Sequence, residues 1–271
     1  MAPVPLTLEI LNSKYFGNSL DLFKYDILTH ILTKSDGLSL FYIPMITSPL
    51  PKERNSKYVT YEVGVKNKRL FQMLQSEFEK EYSDISLIKS YFVSRGIHLS
   101  MLNPDGPECE GEMMYFEEAT RKEYFGQAVR HYKSLVNNTL VYIDPDVGSD
   151  VGITRRFRSN RNMYVRRQEL IQIKSCLRSE DFIAYFQHLG NSNYTVEQRL
   201  EDLQKTFGEW VLFIGYARIQ AGMVMIFNDQ ESYVVKRKLI EDYFRDYEHL
   251  KHRDKFIIQG KPLTSSGFLA L

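Results

Sequence analysis

A regular alternation of amphipathic helices and short apolar strands fills the second half of the chain and restricts its fold more than any other feature. Helical spacing of apolar residues over Glu118–Leu135, Gln168–Leu177 and Val196–Phe207 alternates with the apolar runs Thr139–Ile143 and Phe182–Phe186. Strands that alternate with helices predict an α/β sheet joined by right-handed crossovers. We therefore expect an open, mostly parallel, doubly wound sheet.

The first half of the chain is less regular but carries the same kinds of element. Ser19–Lys34 has apolar residues at helical spacing, and Leu38–Ile46 is an apolar run that predicts a buried strand. A further strand is predicted over Ile88–Ser94. We expect a single α/β domain over residues 1–271, and the least regular stretch, 47–115, is a candidate for an inserted subdomain.

Composition excludes several classes of protein. Hydrophobic residues make up 43% of the chain and charged residues 25%, as in globular proteins with a real core. The longest uninterrupted apolar run, Trp210–Ala217, is far shorter than the roughly 20 residues of a membrane span. No secretory signal is evident at the N-terminus, and Cys109 and Cys176 form no motif together. These features predict a cytoplasmic protein without a membrane partner.

Charge is balanced overall but unevenly distributed. The chain has 35 basic and 34 acidic residues, so bulk charge does not indicate a nucleic-acid binder. However, Asp105–Glu118 contains six acids and no base, whereas Arg155–Arg167 contains six arginines and no acid. Guanidinium groups suit phosphates, and aromatic residues within the arginine-rich segment could stack on bases. We therefore expect the segment to bind RNA or DNA, chiefly through Arg155, Arg156, Arg158 and Arg161.

Two carboxylates directly follow a predicted strand at Asp144, Pro145 and Asp146. Ligands of open α/β sheets bind beyond the carboxyl ends of the strands, which is where these residues are expected. In one interpretation, Asp144 accepts a hydrogen bond from an exocyclic amine and holds it for methyl transfer. In another, Asp144 and Asp146 together bind Mg²⁺ through oxygen ligands. The structural alternative is a turn whose acids cap the next segment.

A second candidate site lies at the start of the first helix. Gly17 and Asn18 predict a tight turn that opens directly into this helix, whose free amide groups can bind an anion or a carboxylate. Asp21 and Lys24 are three residues apart and therefore share a helix face. We expect these four residues to contribute to a binding site; a capped helix with a surface ion pair is the alternative.

This stretch resembles the N-terminal signature of the bacterial large-subunit ribosomal RNA adenine methyltransferases, His-x-Gly-Asn-x-x-Asp-x-x-Lys-His. That family carries Asp-Pro-Pro-Tyr at the end of its fourth strand, where this chain has Asp-Pro-Asp-Val. The predicted tail is also similar to the second half of the class I methyltransferase sheet, whose last strand is inserted antiparallel. The resemblance implies S-adenosylmethionine as cofactor, with Asn18 and Lys24 holding it and Asp144 gripping the target amine.

The chain departs from this family at identifiable positions. Tyr25 stands where the signature has His, and Asp146 and Val147 replace the second Pro and the Tyr of the strand-end motif. The aromatic residue that would stack on a flipped base is therefore replaced. The glycine-rich turn expected after the first strand is replaced by Pro44–Thr47.

The chain is also similar to uncharacterised prokaryotic proteins whose fourth strand ends in Asp-Pro-Asp-Asn-Gly and whose next strand ends in Gln-His. Gly148, Gln187 and His188 match that pattern. Because His188 closes the strand next to the one that ends at Asp144, it could act there as a general base or contact a phosphate. A hydrogen-bonded structural histidine is the alternative.

Three functions follow from these observations. The preferred hypothesis is a methyltransferase that uses S-adenosylmethionine to methylate a base amine in nucleic acid. The second is a Mg²⁺-dependent nuclease or phosphodiesterase that uses Asp144 and Asp146, and it accounts for the second acid of the strand-end motif. The third is a non-catalytic nucleic-acid-binding module on the same fold.

Overall fold

Helices and strands alternate along the described chain. The computed structural model describes residues 16–45, 63–80, 87–102, 119–146, 148–151, 164–189, 195–216, 221–248 and 256–261. In chain order, the elements are α1 (Ser19–Thr33), β1 (Ser39–Pro44), α2 (Lys68–Glu79), α3 (Leu87–Ser94), β2 (Leu99–Met101), α4 (Arg121–Ser134), β3 (Thr139–Asp144), β4 (Gly148–Ser149), β5 (Tyr164–Val165), α5 (Arg167–Lys174), β6 (Phe182–His188), α6 (Val196–Phe207), β7 (Val211–Tyr216), β8 (Ala221–Phe227), α7 (Gln230–Arg245) and β9 (Phe256–Gly260).

Seven of the strands form one mixed sheet in the order β2-β1-β3-β6-β8-β7-β9. The strands β2, β1, β3 and β6 are parallel to one another. The strand β8 is antiparallel to both of its neighbours, β6 and β7, and β9 is antiparallel to β7. The predicted α/β class with a mostly parallel sheet is therefore confirmed. The short strands β4 and β5 pair with each other in a separate ladder.

Helices cover both faces of this sheet, which explains why its strands are apolar throughout rather than alternating. All six residues of β1 are buried. Leu40 and Tyr42 pack into one hydrophobic cluster together with residues of α1, α2, α3 and α7. Phe41 and Ile43 point the other way, into a cluster with residues of α4, α5 and α6. We call these two sides the α1 face and the α6 face of the sheet.

The helix α1 is buried on nearly all sides because it lies between the sheet and the helices α2 and α7. Its apolar residues, such as Phe23 and Ile27, are fully enclosed. Asp21, Lys24 and Asp26 are buried as well. Polar side chains in such a place need hydrogen-bond or charge partners, since an unpaired buried charge is costly.

Asp26 shows how one of these charges is satisfied. Its carboxylate accepts hydrogen bonds from the hydroxyl groups of Tyr243, at 2.7 Å, and Tyr247, at 3.3 Å. It also accepts a hydrogen bond of 2.9 Å from the amide of Asn67, the residue that caps α2. Burial raises the pKa of Asp26, and these hydrogen bonds oppose that shift. The group ties α1, α2 and α7 together.

Most predicted elements agree with the structure, and α6 has the predicted bounds. The strand predicted over Ile88–Ser94 is wrong, because this segment lies within the helix α3. Ile88, Tyr91 and Phe92 are buried at spacings of three and four residues, and the intervening residues are exposed. The edge strand of the sheet is instead the three-residue β2.

The stretch 47–115 lies partly outside the described residues. Its described part supplies α2 and α3 to the α1 face and β2 to the edge of the main sheet. The inserted subdomain over this stretch stays a prediction.

Gly17 lies where the turn before α1 meets α2. Its φ is +94°, and a Cβ there would overlap the carbonyl oxygen of Leu74 and lie 2.8 Å from the amide nitrogen of Phe78. We expect Gly17→Ala to lower the free energy of unfolding by about 2–5 kcal/mol, from the left-handed backbone and the steric overlap together. Gly37→Ala is the matched control, since Gly37 has φ +71° with nothing within 4 Å. Its loss in urea unfolding should be about 1–2 kcal/mol; equal losses in both variants would contradict the packing argument.

Candidate functional site

The chain changes its direction of winding at β1. It crosses from β1 to β2 on one side and later returns to place β3 on the other side. The carboxyl ends of β1 and β3 therefore flank a topological switch point, where open α/β sheets bind ligands. Pro44 and Asp144, the last residues of these strands, are register partners there.

A cavity of about 250 Å³ opens at this switch point. Its walls come from the start of α1, the ends of β1, β3 and β6, and the turn that follows β3. The amino end of α1 and the tip of β3 thus line the same cavity, although Lys24 and Asp144 are 120 residues apart in sequence. The predicted site residues that line it are Asn18, Asp21, Lys24, Asp144, Asp146 and His188.

Local hydrogen bonds shape the amino end of α1. The side chain of Asn18 accepts hydrogen bonds from the backbone amides of Leu20, at 2.8 Å, and Asp21, at 3.1 Å, as a helix N-cap does. The carboxylate of Asp21 accepts a hydrogen bond of 2.7 Å from the amide of Gly17. Asn18 is therefore the N-cap of α1.

An ion cluster of Lys24, Asp21 and Asp144 joins α1 to β3. The ammonium of Lys24 lies 2.8 Å from Oδ1 of Asp144 and 2.7 Å from Oδ1 of Asp21. The side chains of all three residues are no more than 11% exposed. The Asp21–Lys24 pair is thus a buried contact rather than a surface ion pair. We call these three residues the Lys24 cluster.

Three tyrosines surround the carboxylate of Asp144. Its Oδ1 accepts a hydrogen bond from Tyr142 at 3.0 Å, in addition to that from Lys24. Its Oδ2 accepts hydrogen bonds from Tyr42, at 3.0 Å, and Tyr25, at 3.2 Å. A carboxylate has about four acceptor positions, so all of those on Asp144 are filled from within the chain.

Burial and charge oppose each other in the Lys24 cluster. Burial lowers the pKa of Lys24, but the carboxylates of Asp144 and Asp21 outweigh it, so its pKa lies above the usual range. Burial raises the pKa of Asp21, and Lys24 offsets this only in part. Two carboxylates share one ammonium, which leaves an excess of one negative charge when all three groups are ionised. The cluster therefore favours a cation in the adjacent cavity.

Aromatic rings and two further polar residues complete the cavity. The ammonium of Lys24 lies 4.9 Å from the ring centre of Phe186 and 5.4 Å from that of Tyr25, within the range of cation–π attraction. Asp146 is exposed at the mouth of the cavity, and His188 is half-buried beside it. Burial lowers the pKa of His188, so its imidazole is neutral at neutral pH.

Gly148 and Gln187, which match the pattern of the uncharacterised prokaryotic proteins, contact each other at the edge of the sheet where β3 and β6 end. The side chain of Gln187 accepts a hydrogen bond of 3.1 Å from the amide of Ser149. Gly148 has φ +136°, and a Cβ at this position would overlap the side chain of Gln187. A glycine at position 148 therefore allows the chain after β3 to approach the end of β6.

Four of the predicted site residues are not described by the structure, and a fifth is not part of the cavity wall. Arg155, Arg156, Arg158 and Arg161 lie outside the described residues, and Gly17 lies next to the cavity rather than in its wall.

Within the described ranges, no group of three or more His, Cys, Asp or Glu residues is arranged to hold a metal ion. No helix there is long and apolar enough to cross a bilayer.

Sequence reasoning missed the three tyrosines around Asp144. Tyr42 and Tyr142 are register partners, each two residues before the end of its strand. Residues two apart in a strand share a face, so Tyr142 and Asp144 lie on one face of β3, and Tyr42 lies beside Tyr142 on β1. A Tyr at the same offset in two predicted neighbouring strands is the signal that could have revealed them.

Comparisons with known proteins identify no family for this chain. No protein-family model matches it, and no curated protein matches it. Among solved structures, it is similar to protein LPL1258 from Legionella pneumophila, described by the family model DUF519. The identity is 14%, the TM-score is 0.47, and the match covers 90% of this chain and 97% of that protein.

Lys24→Met would leave two buried carboxylates without their cation. We expect it to lower the free energy of unfolding at pH 7 by about 3–5 kcal/mol. Because burial raises the pKa of Asp21, its carboxyl binds more protons when folded than when unfolded, so the loss should shrink as pH falls. Urea unfolding at several pH values measures both effects. The control is Lys205→Met, whose exposed pair with Glu201 contributes less than about 1 kcal/mol; equal losses in both variants would contradict the burial argument.

Proposed function

We propose that this chain is an S-adenosylmethionine-dependent methyltransferase of the class I type that methylates a base amine in RNA or DNA. The observation that carries the proposal is the shared cavity between the amino end of α1 and the tip of β3. The two motifs that resemble the ribosomal RNA adenine methyltransferases both contribute residues to the wall of this cavity. Its place at the switch point of the sheet is the expected one for a ligand of an open α/β fold.

The order of the strands also supports the proposal. The second half of a class I methyltransferase sheet ends with an antiparallel strand inserted before its neighbour in sequence. Here β8 is inserted between β6 and β7 and is antiparallel to both. The helices α4, α5 and α6 cover one face of this half, as doubly wound connections require.

The charge and size of the cavity fit part of this cofactor. S-adenosylmethionine carries a sulfonium, an ammonium and a carboxylate, so its net charge is positive. The cavity walls contain Asp21, Asp144 and Asp146 against Lys24, together with aromatic rings that attract a cation. A volume of about 250 Å³ is below the usual range for whole ligands, so we assign the cavity to the charged methionine half.

The contacts within the site assign a role to each residue. An ammonium has three N–H donors, and that of Lys24 directs two at Asp144 and Asp21. Its third donor is suited to the cofactor carboxylate. Since four hydrogen bonds fill the acceptor positions of Asp144, we assign to Asp144 the positioning of Lys24. The exposed Asp146 at the mouth is the carboxylate we assign to the target amine.

The reaction requires a free lone pair on the amine nitrogen. The cofactor supplies the methyl group when it is bound. A carboxylate at Asp146 would accept a hydrogen bond from the amine N–H and orient the nitrogen lone pair towards the methyl group. The neutral imidazole of His188, which lines the same cavity, is able to accept the proton that the amine releases.

The contacts of Lys24 bear on the nuclease hypothesis. A Mg²⁺ ion held by Asp144 would need an oxygen that faces the cavity and is not already neutralised. The ammonium of Lys24 contacts Oδ1 of Asp144, and two tyrosine hydroxyls contact Oδ2. We therefore prefer methyl transfer to metal-dependent cleavage.

Calorimetric titration with S-adenosylmethionine tests the cofactor assignment. We expect binding with a dissociation constant between about 1 μM and 1 mM, as for typical enzyme substrates. Affinity should rise as pH rises through the folded pKa of Asp21, because the ionised carboxylate attracts the cofactor's cationic groups. Asp21→Asn should weaken binding and flatten this dependence. Asp36→Asn, on an exposed turn outside the cavity, is the control. No heat at millimolar cofactor would remove the methyltransferase proposal.

The separate roles of the two acids are testable by methyl transfer. We expect Asp146→Asn to lower transfer of labelled methyl groups to total RNA or DNA by at least about 100-fold, the size of general acid–base effects. Cofactor affinity should change by less than about threefold. Asp144→Asn should instead weaken cofactor binding, because it releases Lys24. Full activity in Asp146→Asn would show that another group holds the amine.

A further inference from the structure

Arg199 of α6 is a buried cation whose charge is poorly compensated. Arg199 is only 6% exposed, and its Nη1 has no hydrogen-bond partner. Burial lowers its pKa, and the opposing influences come from Tyr185 and Tyr164, which are neutral hydroxyl groups at physiological pH. Burying a guanidinium without a paired carboxylate costs free energy, and an anion bound to it would offset that cost.

A second buried arginine, Arg121, has a carboxylate partner within the chain. Arg121 is 3% exposed, and both oxygens of Glu169 accept its hydrogen bonds. The carbonyl oxygen of Tyr164 accepts a further hydrogen bond from it. Such pairing offsets the cost of burying the guanidinium. Arg199 has no carboxylate among the influences on its pKa.

The hydroxyl group of Tyr185 acts electrostatically on Arg199 and belongs to a buried pair of hydroxyl groups. Tyr185 shares a hydrogen bond of 3.0 Å with the hydroxyl of Ser149. Arg199 is the fourth residue of α6, whose amino end is capped by Thr195. The partial positive charge of a helix amino end adds to that of the guanidinium. Both charges favour an anion at this place.

The acids that flank Arg199 on α6, Glu197 and Asp202, are not among the groups that shift its pKa. The sequence contains no Asp or Glu from Val151 to Arg167, between Ser149 and α5, or from Leu189 to Val196, before α6. The nearby Asp150 accepts a hydrogen bond of 2.5 Å from the backbone amide of Arg167. Since no carboxylate of the described residues pairs with Arg199, a bound anion is suited to supply its counter-charge.

We propose that the guanidinium of Arg199 binds a phosphate group on the α6 face of the sheet, at the edge formed by Ser149 and Tyr185. Guanidinium groups bind phosphates through paired, charge-assisted hydrogen bonds. Tyr185 belongs to the cluster on the α6 face, whereas the tyrosines around Asp144 lie on the α1 face. The phosphate site is thus distinct from the cavity at the Lys24 cluster, and it does not depend on methyl transfer.

The phosphate can come from a free phosphate compound or from the backbone of a nucleic acid. Titrations with inorganic phosphate and with a ten-nucleotide oligothymidylate distinguish these two sources. We expect at least one of them to bind the full-length protein, with affinity at least about tenfold lower in Arg199→Met than in the wild type, as loss of a charge-assisted hydrogen bond predicts. Arg199→Lys, which keeps the charge, should retain part of the binding. Arg130→Met, at an exposed position on α4, is the control for net charge.

Thermal unfolding without phosphate separates ligand binding from a structural role. If Arg199 is a ligand site, Arg199→Met removes an uncompensated buried charge, and its melting temperature should equal or exceed that of the wild type. Added phosphate or oligonucleotide should raise the melting temperature of the wild type and of Arg130→Met but not that of Arg199→Met. Failure of both probes to bind the wild type, or equal binding by Arg199→Met, would overturn the proposal. Neither result would affect the cofactor titration.

Discussion

The ammonium of Lys24, shared between two buried carboxylates, is the contact on which the arrangement of this site depends. It joins the first turns of α1 to the carboxyl end of β3, two elements that lie far apart in sequence. Since a single buried charge would be costly, each member of the cluster requires the others. The contact therefore holds the two walls of the cavity at a defined separation.

The excess of carboxylate over ammonium gives this cavity its chemical character. Burial keeps the pKa of Asp21 raised even with Lys24 beside it. A cation that approaches the cluster therefore lowers its electrostatic energy. On the other face of the sheet, the uncompensated charge of Arg199 has the opposite sign. The sheet thus carries an environment for a cation on its α1 face and one for an anion on its α6 face.

The predictable part of the structure came from local patterns. The cap at Asn18 and the bounds of α6 depend on residues within four positions of each other, and such signals are complete in the sequence. The segment over Ile88–Ser94 was misassigned because a short apolar run fits a strand as well as a buried helix. The segment forms a helix because Ile88, Tyr91 and Phe92 pack against the α1 face of the sheet. This contact exists only in the folded chain.

The sequence by itself determined the α/β class, the start of α1 and the placement of Asp144 at a strand end, because periodicity and capping act over a few residues. It did not determine that Asp144 accepts four hydrogen bonds, or that Arg199 is buried with an unpaired nitrogen. These facts depend on strand order and on helices packed across the sheet. Tertiary structure decided them because the partners of a buried charge come from segments that are distant along the chain.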